Sequence, residues 1–457
     1  MLILLAVFGF ARAAALVLHR PLIGLANSYD EVRYSGCFDM APIRPGVPPD
    51  RYNPQAPLRL FAFGAGFPSG TCTPSSDLLF TAPVALGWKI SEIAGRSKSH
   101  SIGKLGAVRL LAWCVLAACF VRAWAARRQA DVACALLACT SIVFLDPANT
   151  VLFNTWYAEP AATFGLYLCG VGALLTLDGN RRVFWLATML GAAMLGGSKL
   201  QHAALPFALA VACLAAGGRA ARTAALALTL GGVLGLGVSL VGSASSMSQG
   251  MQFRNRGNFV LMVLLPNVEH PLQTAAQIGL DVDCAARAGP HGVWALGDPI
   301  EQSCPSLARV SSPRAWAALA SEPAALINAL AGIPHHITPW ISNQLGLVEG
   351  REYAHLPASL WSLDRLLGDD SRLALILLIL PWGVLAASLL LHAGPLARTC
   401  AAMCAMTALE VPVVAMFGDG YSDFAKHAQL ALVAALTSLS VPLAGLVGAL
   451  LRNSGRR

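Results

Sequence analysis

The chain begins MLILLAVFGFARAAALVLHRPLIGLANSYDEVRY (residues 1–34), a long apolar run followed by acidic, basic and aromatic residues. Arg12 interrupts the run and no clean small-residue cleavage site follows it, so the pattern predicts a retained transmembrane helix rather than a signal peptide. Asp30, Glu31 and Arg33 lie just beyond the predicted end of this helix, near residue 26. One charge is enough to anchor a helix end in the lipid headgroups, and this tight cluster therefore marks a candidate site.

The composition of the whole chain is that of a polytopic helical membrane protein. Hydrophobic residues make up 56% and charged residues 12% of the 457 residues, against roughly 45–50% and about 25% in soluble domains. The net charge of +8 is concentrated in clusters such as RAWAARR, GNRR, GGRAAR and RNSGRR, each of which follows an apolar run. Such clusters are typical of cytoplasmic loops, so we expect a lipid bilayer as partner and no nucleic acid.

The apolar runs predict ten transmembrane helices in a single all-α domain over residues 1–457. If the first helix exits to the outside, every basic cluster named above falls on the cytoplasmic side, and both termini lie inside. The basic stretch GRSKSHSIGK (95–104) fits this count poorly, and LLFTAPVALGWKISEIAG could be an eleventh, re-entrant or interfacial segment. The first predicted helix ends near residue 26, and the others span about 105–122, 131–146, 158–177, 183–198, 203–216, 223–242, 371–392, 398–416 and 427–451.

Two large regions, residues 27–104 and 243–370, are predicted to lie outside the membrane in the periplasm. The first is rich in proline and glycine and is expected to be mostly irregular, with an amphipathic tail. The second holds NFVLMVLLP, which is too short to span, and a moderately amphipathic run, SPRAWAALASEPAALINALAGIPHHI. The cysteines outside the predicted helices form two close pairs, Cys37 with Cys72 and Cys284 with Cys304, and an oxidising periplasm would favour a disulfide in each.

Acids, bases and aromatic residues gather in four connections on the predicted outer side, whereas the inner connections carry little beyond arginine, glycine and small residues. The four stretches are NSYDEVRY (27–34), NTWYAEP (154–160), GSKLQHAALP (197–206) and GDGYSDFAKHAQL (418–430). Convergence of such residues on one face is what a site at the membrane surface requires. The candidate site residues are Asp30, Glu31, Arg33, Tyr157, Glu159, Lys199, His202, Asp419, Lys426 and His427.

Each stretch allows a functional and a structural interpretation. A carboxylate in the first stretch can accept a proton, with Arg33 one turn away to hold it. Lys199 and His202 need an anionic partner at the membrane, and a phosphate would serve. The structural alternatives are a solvated helix exit for the first stretch, an aromatic belt and helix N-terminus for Tyr157 and Glu159, and snorkelling for the lysine of the last stretch.

Several catalytic signatures are missing from the sequence. It has no P-loop, no nucleophile elbow, no metal-binding histidine pair and no acidic nucleotide-sugar motif on a cytoplasmic loop, so ATP-driven transport by this chain is not expected. No cofactor is predicted, and a requirement for a divalent cation stays open. Glu410, inside the ninth predicted helix, is interpreted as a paired interior residue.

The pattern as a whole resembles the GT-C superfamily, integral-membrane glycosyltransferases that use polyprenyl-phosphate sugars. Within it the likeness is to bacterial glycan-biosynthesis hexose transferases and mannosyltransferase-like membrane proteins. The resemblance covers most of the chain in architecture, with two external regions and an acid at the start of the first. It rests on the short motifs NSYDEVRY, SSDLLFTAPVAL, YAEP, SKLQH, ISNQLGLVEG and GDGYSDFAKH.

The resemblance implies an inverting transfer of a hexose from a polyprenyl-phosphate donor to a glycan or lipid-linked acceptor, at the periplasmic face of the bacterial inner membrane. It implies that Asp30 is the general base, with adjacent Glu31 as the alternative. The better-known members carry a sizeable C-terminal soluble domain that this sequence lacks, so acceptor recognition is expected to fall to the two external regions. An oligosaccharide polymerase or ligase and a glycolipid transporter or flippase stay open as alternatives. The cations expected to hold the lipid phosphate are Lys199, His202, Lys426 and His427.

Overall fold

A computed structural model of the chain describes residues 2–25, 28–43, 56–179, 182–297, 299–341, 346–351 and 355–454. These residues are mostly helical, as predicted. Most of the proline-rich stretch at 41–55 lies outside the described residues, as do residues 342–345 of ISNQLGLVEG and parts of GNRR and RNSGRR.

The helices and strands follow one another in four groups along the chain. The first group consists of α1 (Leu2–Val17), α2 (Ser28–Ser35), β1 (Met40–Pro42), β2 (Leu60–Phe63), α3 (Leu78–Ile93) and β3 (His100–Ser101). The second consists of α4 (Gly103–Ala125), α5 (Ala130–Cys139), α6 (Pro147–Thr150), α7 (Glu159–Gly179), α8 (Arg182–Ser198), α9 (Leu205–Leu214) and α10 (Gly218–Ser243). A π-helical turn, Thr140–Phe144, extends α5, and short 3-10 helices include Val151–Asn154 and Leu200–His202.

The third group lies in the second region that is predicted to be external. It consists of α11 (Ser246–Asn258), α12 (Leu265–Asn267), α13 (Pro271–Ile278), α14 (Val282–Ala285), α15 (Ile300–Ser303), α16 (Ser312–Ser321), α17 (Pro323–Gly332) and α18 (Asp364–Leu367). Between α14 and α15 lies a 3-10 helix, Gly292–Leu296. The last group consists of α19 (Ser371–Leu390), α20 (Pro395–Asp419), α21 (Phe424–Ser438) and α22 (Ser440–Ser454).

In the described residues, six helices are long and apolar enough to cross a membrane: α4, α7, α10, α19, α20 and the segment Phe424–Arg452 formed by α21 and α22. Two pairs bent by more than 40°, Ala130–Phe144 with Pro147–Asn154 and Ser312–Ser321 with Pro323–His335, raise the number to eight if each is one span. A helix occupies each of the ten predicted segments, but α1, α8 and α9 are shorter than the roughly 20 residues that a span needs. The predicted count of ten spans is therefore not confirmed.

The bend between α5 and α6 encloses a buried ion pair. Pro147 opens α6, and Asp146 caps this helix by accepting the N–H of Ala148 at 2.9 Å. Arg12 of α1 lies 3.1 Å from Asp146 (Nη1–Oδ2), and both side chains are almost fully buried. The charge that interrupts the first apolar run is thus neutralised inside the helical bundle.

The first region includes a three-stranded antiparallel sheet, which the expectation of a mostly irregular segment missed. β1 pairs with β2, for example Met40 with Phe63, and β2 pairs with β3, for example Leu60 with Ser101. These strands have only two to four residues, which is too few to show a clear alternation of apolar and polar residues. The candidate eleventh segment forms α3, which packs on α4 and is too short to span.

Both predicted cysteine pairs form disulfides. The Cα–Cα separations are 4.3 Å for Cys37–Cys72 and 5.7 Å for Cys284–Cys304, within or close to the usual range for bridged cysteines. The first bridge ties the segment after α2 to the segment before α3. It therefore restrains α2, the helix that carries Asp30.

Glycines let α7, α8 and α10 approach one another closely. A Cβ on Gly191 of α8 would collide with the backbone of Cys169 in α7. A Cβ on Gly235 of α10 would lie 2.7 Å from the backbone nitrogen of Gly197 in α8. Small residues at such crossings are typical of helices that pack within membranes, and here they fix the end of α8, which leads into Lys199.

Among the described residues Glu410 of α20 has no partner, contrary to the prediction that it is paired. Neither of its carboxylate oxygens has a hydrogen-bond partner among the described residues. Met403 and Thr407, at helical spacing before it, line an apolar cavity of about 610 Å³. Val414 and Phe417, at helical spacing after it, line the larger cavity of the candidate site. Glu410 thus lies on the helix face that runs from one cavity to the other.

Candidate active site

Asp30 lies at the centre of a buried cluster of charges. Its Oδ2 accepts a hydrogen bond from Nζ of Lys426 at 2.9 Å, and its Oδ1 lies 3.8 Å from Nη2 of Arg33. The side chains of Asp30 and Lys426 are only 6% and 5% exposed. Two segments 396 residues apart in sequence are therefore joined by an ion pair shielded from water, where charges interact strongly.

Lys426 lies in the first turn of α21, where the helix dipole is unfavourable for a cation. A cation near a helix N-terminus is disfavoured by the dipole, so acidic partners are needed to compensate. Asp423, the residue before α21, supplies one of them at 3.2 Å from Nζ, and Asp30 supplies the other. Asp423 itself adopts a left-handed conformation with φ 45°, which is uncommon for a non-glycine residue and occurs often at functional sites.

The two neighbouring acids of α2 have opposite protonation states at neutral pH. Burial raises the pKa of Asp30, but Lys426, Arg33 and Lys199 lower it by more, so its pKa lies well below the ordinary range. Burial raises the pKa of Glu31 to about 8, and the charge of Asp30 adds to the rise. Asp30 is therefore ionised and Glu31 mostly protonated. The carboxyl group of Glu31 also accepts the backbone N–H of Trp156 at 3.2 Å.

A second buried pair joins Lys199, at the end of α8, to Glu159, the first residue of α7. The aromatic ring of Tyr157 lies between the two lysines of the site. Its centroid is 5.2 Å from Nζ of Lys426 and 6.0 Å from Nζ of Lys199. Both cations can therefore interact with the ring face, which packs the two ion pairs into one assembly.

Polar contacts extend the assembly towards the end of α20. Nε2 of His427 lies 3.2 Å from Oδ2 of Asp419, and Nδ2 of Asn258 donates to Oδ1 of the same aspartate at 2.9 Å. Nε2 of Gln201 lies within hydrogen-bond distance of ring nitrogens of both His202 and His427. The candidate residues from all four predicted connections are therefore neighbours in the fold.

A cavity of about 1170 Å³ opens beside these residues, where α2, α8, α10, α20 and α21 end or begin. Six of the ten candidate residues line it: Asp30, Arg33, Lys199, Asp419, Lys426 and His427. The other four do not belong to its lining: Glu31, Tyr157, Glu159 and His202. The last three contact residues that do line it, and Glu31 follows Asp30 in α2.

Sequence reasoning missed several residues of the third group of helices that also line the cavity. α11 contributes Arg254 and Arg256, the 3-10 helix Gly292–Leu296 contributes Trp294, and α16 contributes Trp316. The sequence does contain a signal for the two arginines. Basic residues are concentrated in cytoplasmic loops, so arginines in a region predicted to lie outside are exceptions that indicate a function. The tryptophans carry no such signal, because aromatic residues are common at any membrane interface.

Arg109 of α4 supports the site from behind. Its guanidinium pairs with Asp77 and donates to the carbonyls of Phe153 at 2.8 Å and Thr155 at 2.7 Å, with longer contacts to two further carbonyls of the same loop. Burial raises the pKa of Asp77 to about 6, although the charge of Arg109 opposes the rise. This loop presents Trp156 to Glu31 and Tyr157 to the lysines, so Arg109 determines the position of both.

No group of three or more His, Cys, Asp and Glu side chains within the described part of the chain is arranged to hold a metal ion. The lysines of the site are instead paired with its carboxylates, Lys199 with Glu159 and Lys426 with Asp30. Asp30 is ionised beside the large cavity, and the guanidinium of Arg256, which also lines this cavity, can bind an anion.

The helices and their apolar faces define the class of the protein, a multi-pass membrane protein. A family model described as the YfdI N-terminal transmembrane domain matches residues 71–295, a little under half of the chain. Over this segment, which runs from α3 to the 3-10 helix that carries Trp294, the chain is similar to that transmembrane family. No curated protein and no solved structure matches the chain significantly.

Proposed function

We propose that the protein is an inverting glycosyltransferase. It moves a hexose from a polyprenyl-phosphate donor to a glycan or lipid-linked acceptor at the periplasmic face of the bacterial inner membrane. The observation that carries the proposal is the ionised carboxylate of Asp30 on the wall of a large cavity where membrane helices end. The match to the YfdI transmembrane domain supports it, since that family is GT-C-like.

The chemistry needs one base and one anion site. The oxygen of an acceptor hydroxyl attacks the anomeric carbon of the donor on the face opposite the phosphate, and the carbon–oxygen bond to the phosphate breaks. The bonding pair leaves with the phosphate, and the hydroxyl proton passes to Asp30. Because the glycosyl centre resembles an oxocarbenium ion in the transition state, the hydroxyl becomes acidic as it bonds, so a carboxylate of low basicity is sufficient.

Asp30 fits the role of base better than Glu31, the alternative that the sequence leaves open. Asp30 lines the cavity, whereas Glu31 does not. Glu31 is also mostly protonated at neutral pH, since burial raises its pKa to about 8, and its carboxyl group already accepts a hydrogen bond from Trp156. A general base must reach the proton that it removes, and this geometry favours Asp30.

We assign the phosphate first to Arg256 rather than to the lysines. Lys426 is compensated by Asp30 and Asp423, and Lys199 by Glu159, so both lysines hold carboxylates in place. Arg256 lines the cavity and forms no ion pair with a described residue, and its Nε has no hydrogen-bond partner among them. A guanidinium suits the planar, bidentate recognition of phosphate and stabilises the charge that develops as the phosphate leaves.

The proposal is tested by deleting the gene and complementing it with variants. Envelope glycans of the deletion strain should lack one hexose by mass spectrometry, and the undischarged polyprenyl-phosphate sugar should accumulate. Complementation with Asp30→Asn should fail although the protein is present at the parental level. Arg256→Gln should raise the KM for the donor and also lower kcat, while Arg309→Gln, at an exposed ion pair, should match the parent. Unchanged glycans in the deletion strain would refute the proposal.

The main alternative is a glycolipid transporter or flippase, and one observation favours it. Glu410 is an ionisable residue within a membrane helix that has no hydrogen-bond partner among the described residues, and transporters commonly carry such groups. Loss of function in Glu410→Gln with full function in Asp30→Asn would favour transport. An oligosaccharide polymerase or ligase would use the same base, and the glycan of the deletion strain separates it by losing a whole repeat rather than one hexose.

A further inference from the structure

The cavity has two walls of different chemistry beyond its ion pairs. One combines Trp316 and Phe417 with small apolar side chains of α16 and α20. The other combines Trp294 with Gln252, Arg254 and Asn255. A cavity of about 1170 Å³ exceeds the roughly 300–1,000 Å³ of a typical small-molecule site, so it has room for two substrates side by side.

Trp294 is presented to the cavity by a rigid segment. The N–H of Val293, the preceding residue, donates to Oδ1 of Asn258 at 3.0 Å, and Asn258 also donates to Asp419. Gly292 has φ 54° and no room for a side chain, because a Cβ would lie 2.5 Å from Oδ1 of Asn258. The backbone around Trp294 is therefore tied to the same asparagine that contacts the site at Asp419.

The indole of Trp294 remains accessible although its backbone is fixed. The side chain is 63% exposed, and the guanidinium of Arg254 lies 5.8 Å from its ring centroid. An interfacial tryptophan that only anchors the protein would face lipid, whereas this one lines the cavity. An aromatic face beside polar side chains suits a sugar ring, whose C–H face packs on the indole while its hydroxyls exchange hydrogen bonds with those side chains.

We propose that the wall formed by Trp294, Gln252, Arg254 and Asn255 is the acceptor subsite and that it binds a sugar ring of a carbohydrate acceptor. This inference rests on the proposed function. The apolar wall at Trp316 and Phe417 suits the lipid chain of the donor, and this leaves the Trp294 wall for the second substrate. The acceptor is then a glycan with at least one pyranose next to the hydroxyl that reacts, rather than a bare lipid or protein side chain.

The test measures binding of two probes to the full-length protein in nanodiscs, in the Asp30→Asn background so that turnover is blocked. The first probe is a pool of 2-aminobenzamide-labelled oligosaccharides released from the host envelope by mild acid. The second is synthetic undecaprenyl phosphate. Trp294→Ala should weaken oligosaccharide binding about tenfold and leave undecaprenyl phosphate binding within about twofold, and Trp294→Tyr should restore most of the affinity.

Trp382→Ala is the matched control, because Trp382 is 40% exposed on α19 and does not belong to the lining of this cavity. It should leave both probes unaffected. Equal binding of the oligosaccharides by Trp294→Ala and by the control, or equal weakening of both probes, would overturn the inference. If the protein with Asp30 intact binds oligosaccharides through Trp294 but transfers no sugar, only the proposed function is refuted. Transfer with an unchanged acceptor KM in Trp294→Ala would refute only the subsite.

Discussion

Substitution of Arg109, which does not itself line the cavity, by methionine should destabilise the protein. Methionine keeps much of the volume but removes all five donors, so the carboxylate of Asp77 and the carbonyls of the loop at 152–157 lose their partner. Arg109 is 1% exposed and Asp77 2% exposed, so water does not replace what is lost. Removing one member of a buried ion pair costs about 3–5 kcal/mol.

The expected change in melting temperature follows from the size of the chain. An unfolding entropy of roughly 2.1 cal/mol/K per residue gives about 1 kcal/mol/K for a chain of this length, so a loss of 3–5 kcal/mol lowers the melting temperature by about 3–5 °C. Proton uptake by Asp77 limits this loss of stability. Burial already raises the pKa of Asp77 to about 6, and the loss of Arg109 raises it further, so the carboxylate can become neutral instead of staying buried as an unpaired charge. Unfolding should be followed by intrinsic fluorescence in detergent at one fixed scan rate, since large membrane proteins unfold irreversibly.

The control is Lys89→Met, which breaks an ion pair at the surface. Lys89 and Glu92 lie 2.9 Å apart, and their side chains are 49% and 28% exposed, so this pair is expected to contribute about 0–1 kcal/mol. The double variant Arg109→Met/Asp77→Leu should recover part of the loss, because it leaves no unpaired buried carboxylate. A melting temperature of Arg109→Met equal to that of Lys89→Met would refute the reasoning.

Three further outcomes are expected. Replacing Lys426 by methionine removes the strongest of the charges that oppose the effect of burial on Asp30, so the pKa of Asp30 should rise. Sugar transfer by this variant should then fall as pH drops below neutrality. A rate of transfer that does not change with pH in this range, as expected for the parent, would contradict this prediction. The pKa of Glu31 is about 8 in the fold against an ordinary 4.5, so between these pH values the folded state retains a proton that the unfolded chain loses. The free energy of unfolding, and with it the melting temperature, should therefore fall as pH rises from about 4.5 to 8. Glu31→Gln removes this titration and should flatten the fall in melting temperature. The topology is tested with single cysteines at four positions, of which Gly46 and Arg456 lie outside the described residues. Cysteines at Gly46 and Gly289 should be labelled from outside the membrane, and cysteines at Arg128 and Arg456 from inside. Any other result would contradict the predicted topology.

The helices and the convergence of the site could be predicted from the sequence for a simple physical reason. Long apolar runs must be helical in a bilayer, and alternation of basic clusters predicts which connections share a face. Four stretches are therefore predicted to lie on one side of the membrane: NSYDEVRY, NTWYAEP, GSKLQHAALP and GDGYSDFAKHAQL. The structure brings their charged residues together. The disulfides followed from the same topology.

The partners within the site could not be predicted in this way. The pairing of Lys426 with Asp30, and of Lys199 with Glu159, depends on how helices pack rather than on local pattern, so the lysines looked available to a phosphate when each already holds an acid. The number of membrane spans could not be predicted from the apolar runs either, because α1, α8 and α9 are apolar but short. Periodicity does not distinguish a helix that crosses lipid from one that packs inside the protein.

The central claim is that the carboxylate of Asp30, and not that of Glu31, takes the proton from the acceptor. The most direct measurement is sugar transfer by purified Asp30→Asn and Glu31→Gln in nanodiscs, with the polyprenyl-phosphate sugar that accumulates in the deletion strain as donor and envelope oligosaccharides of that strain as acceptor. Asparagine preserves size but removes the base, so transfer by Asp30→Asn should fall by roughly a hundredfold or more, while Glu31→Gln, which replaces a carboxyl group that is already protonated, should stay within about tenfold of the parent. Transfer by Asp30→Asn at the parental rate, or a larger loss in Glu31→Gln than in Asp30→Asn, would contradict the claim.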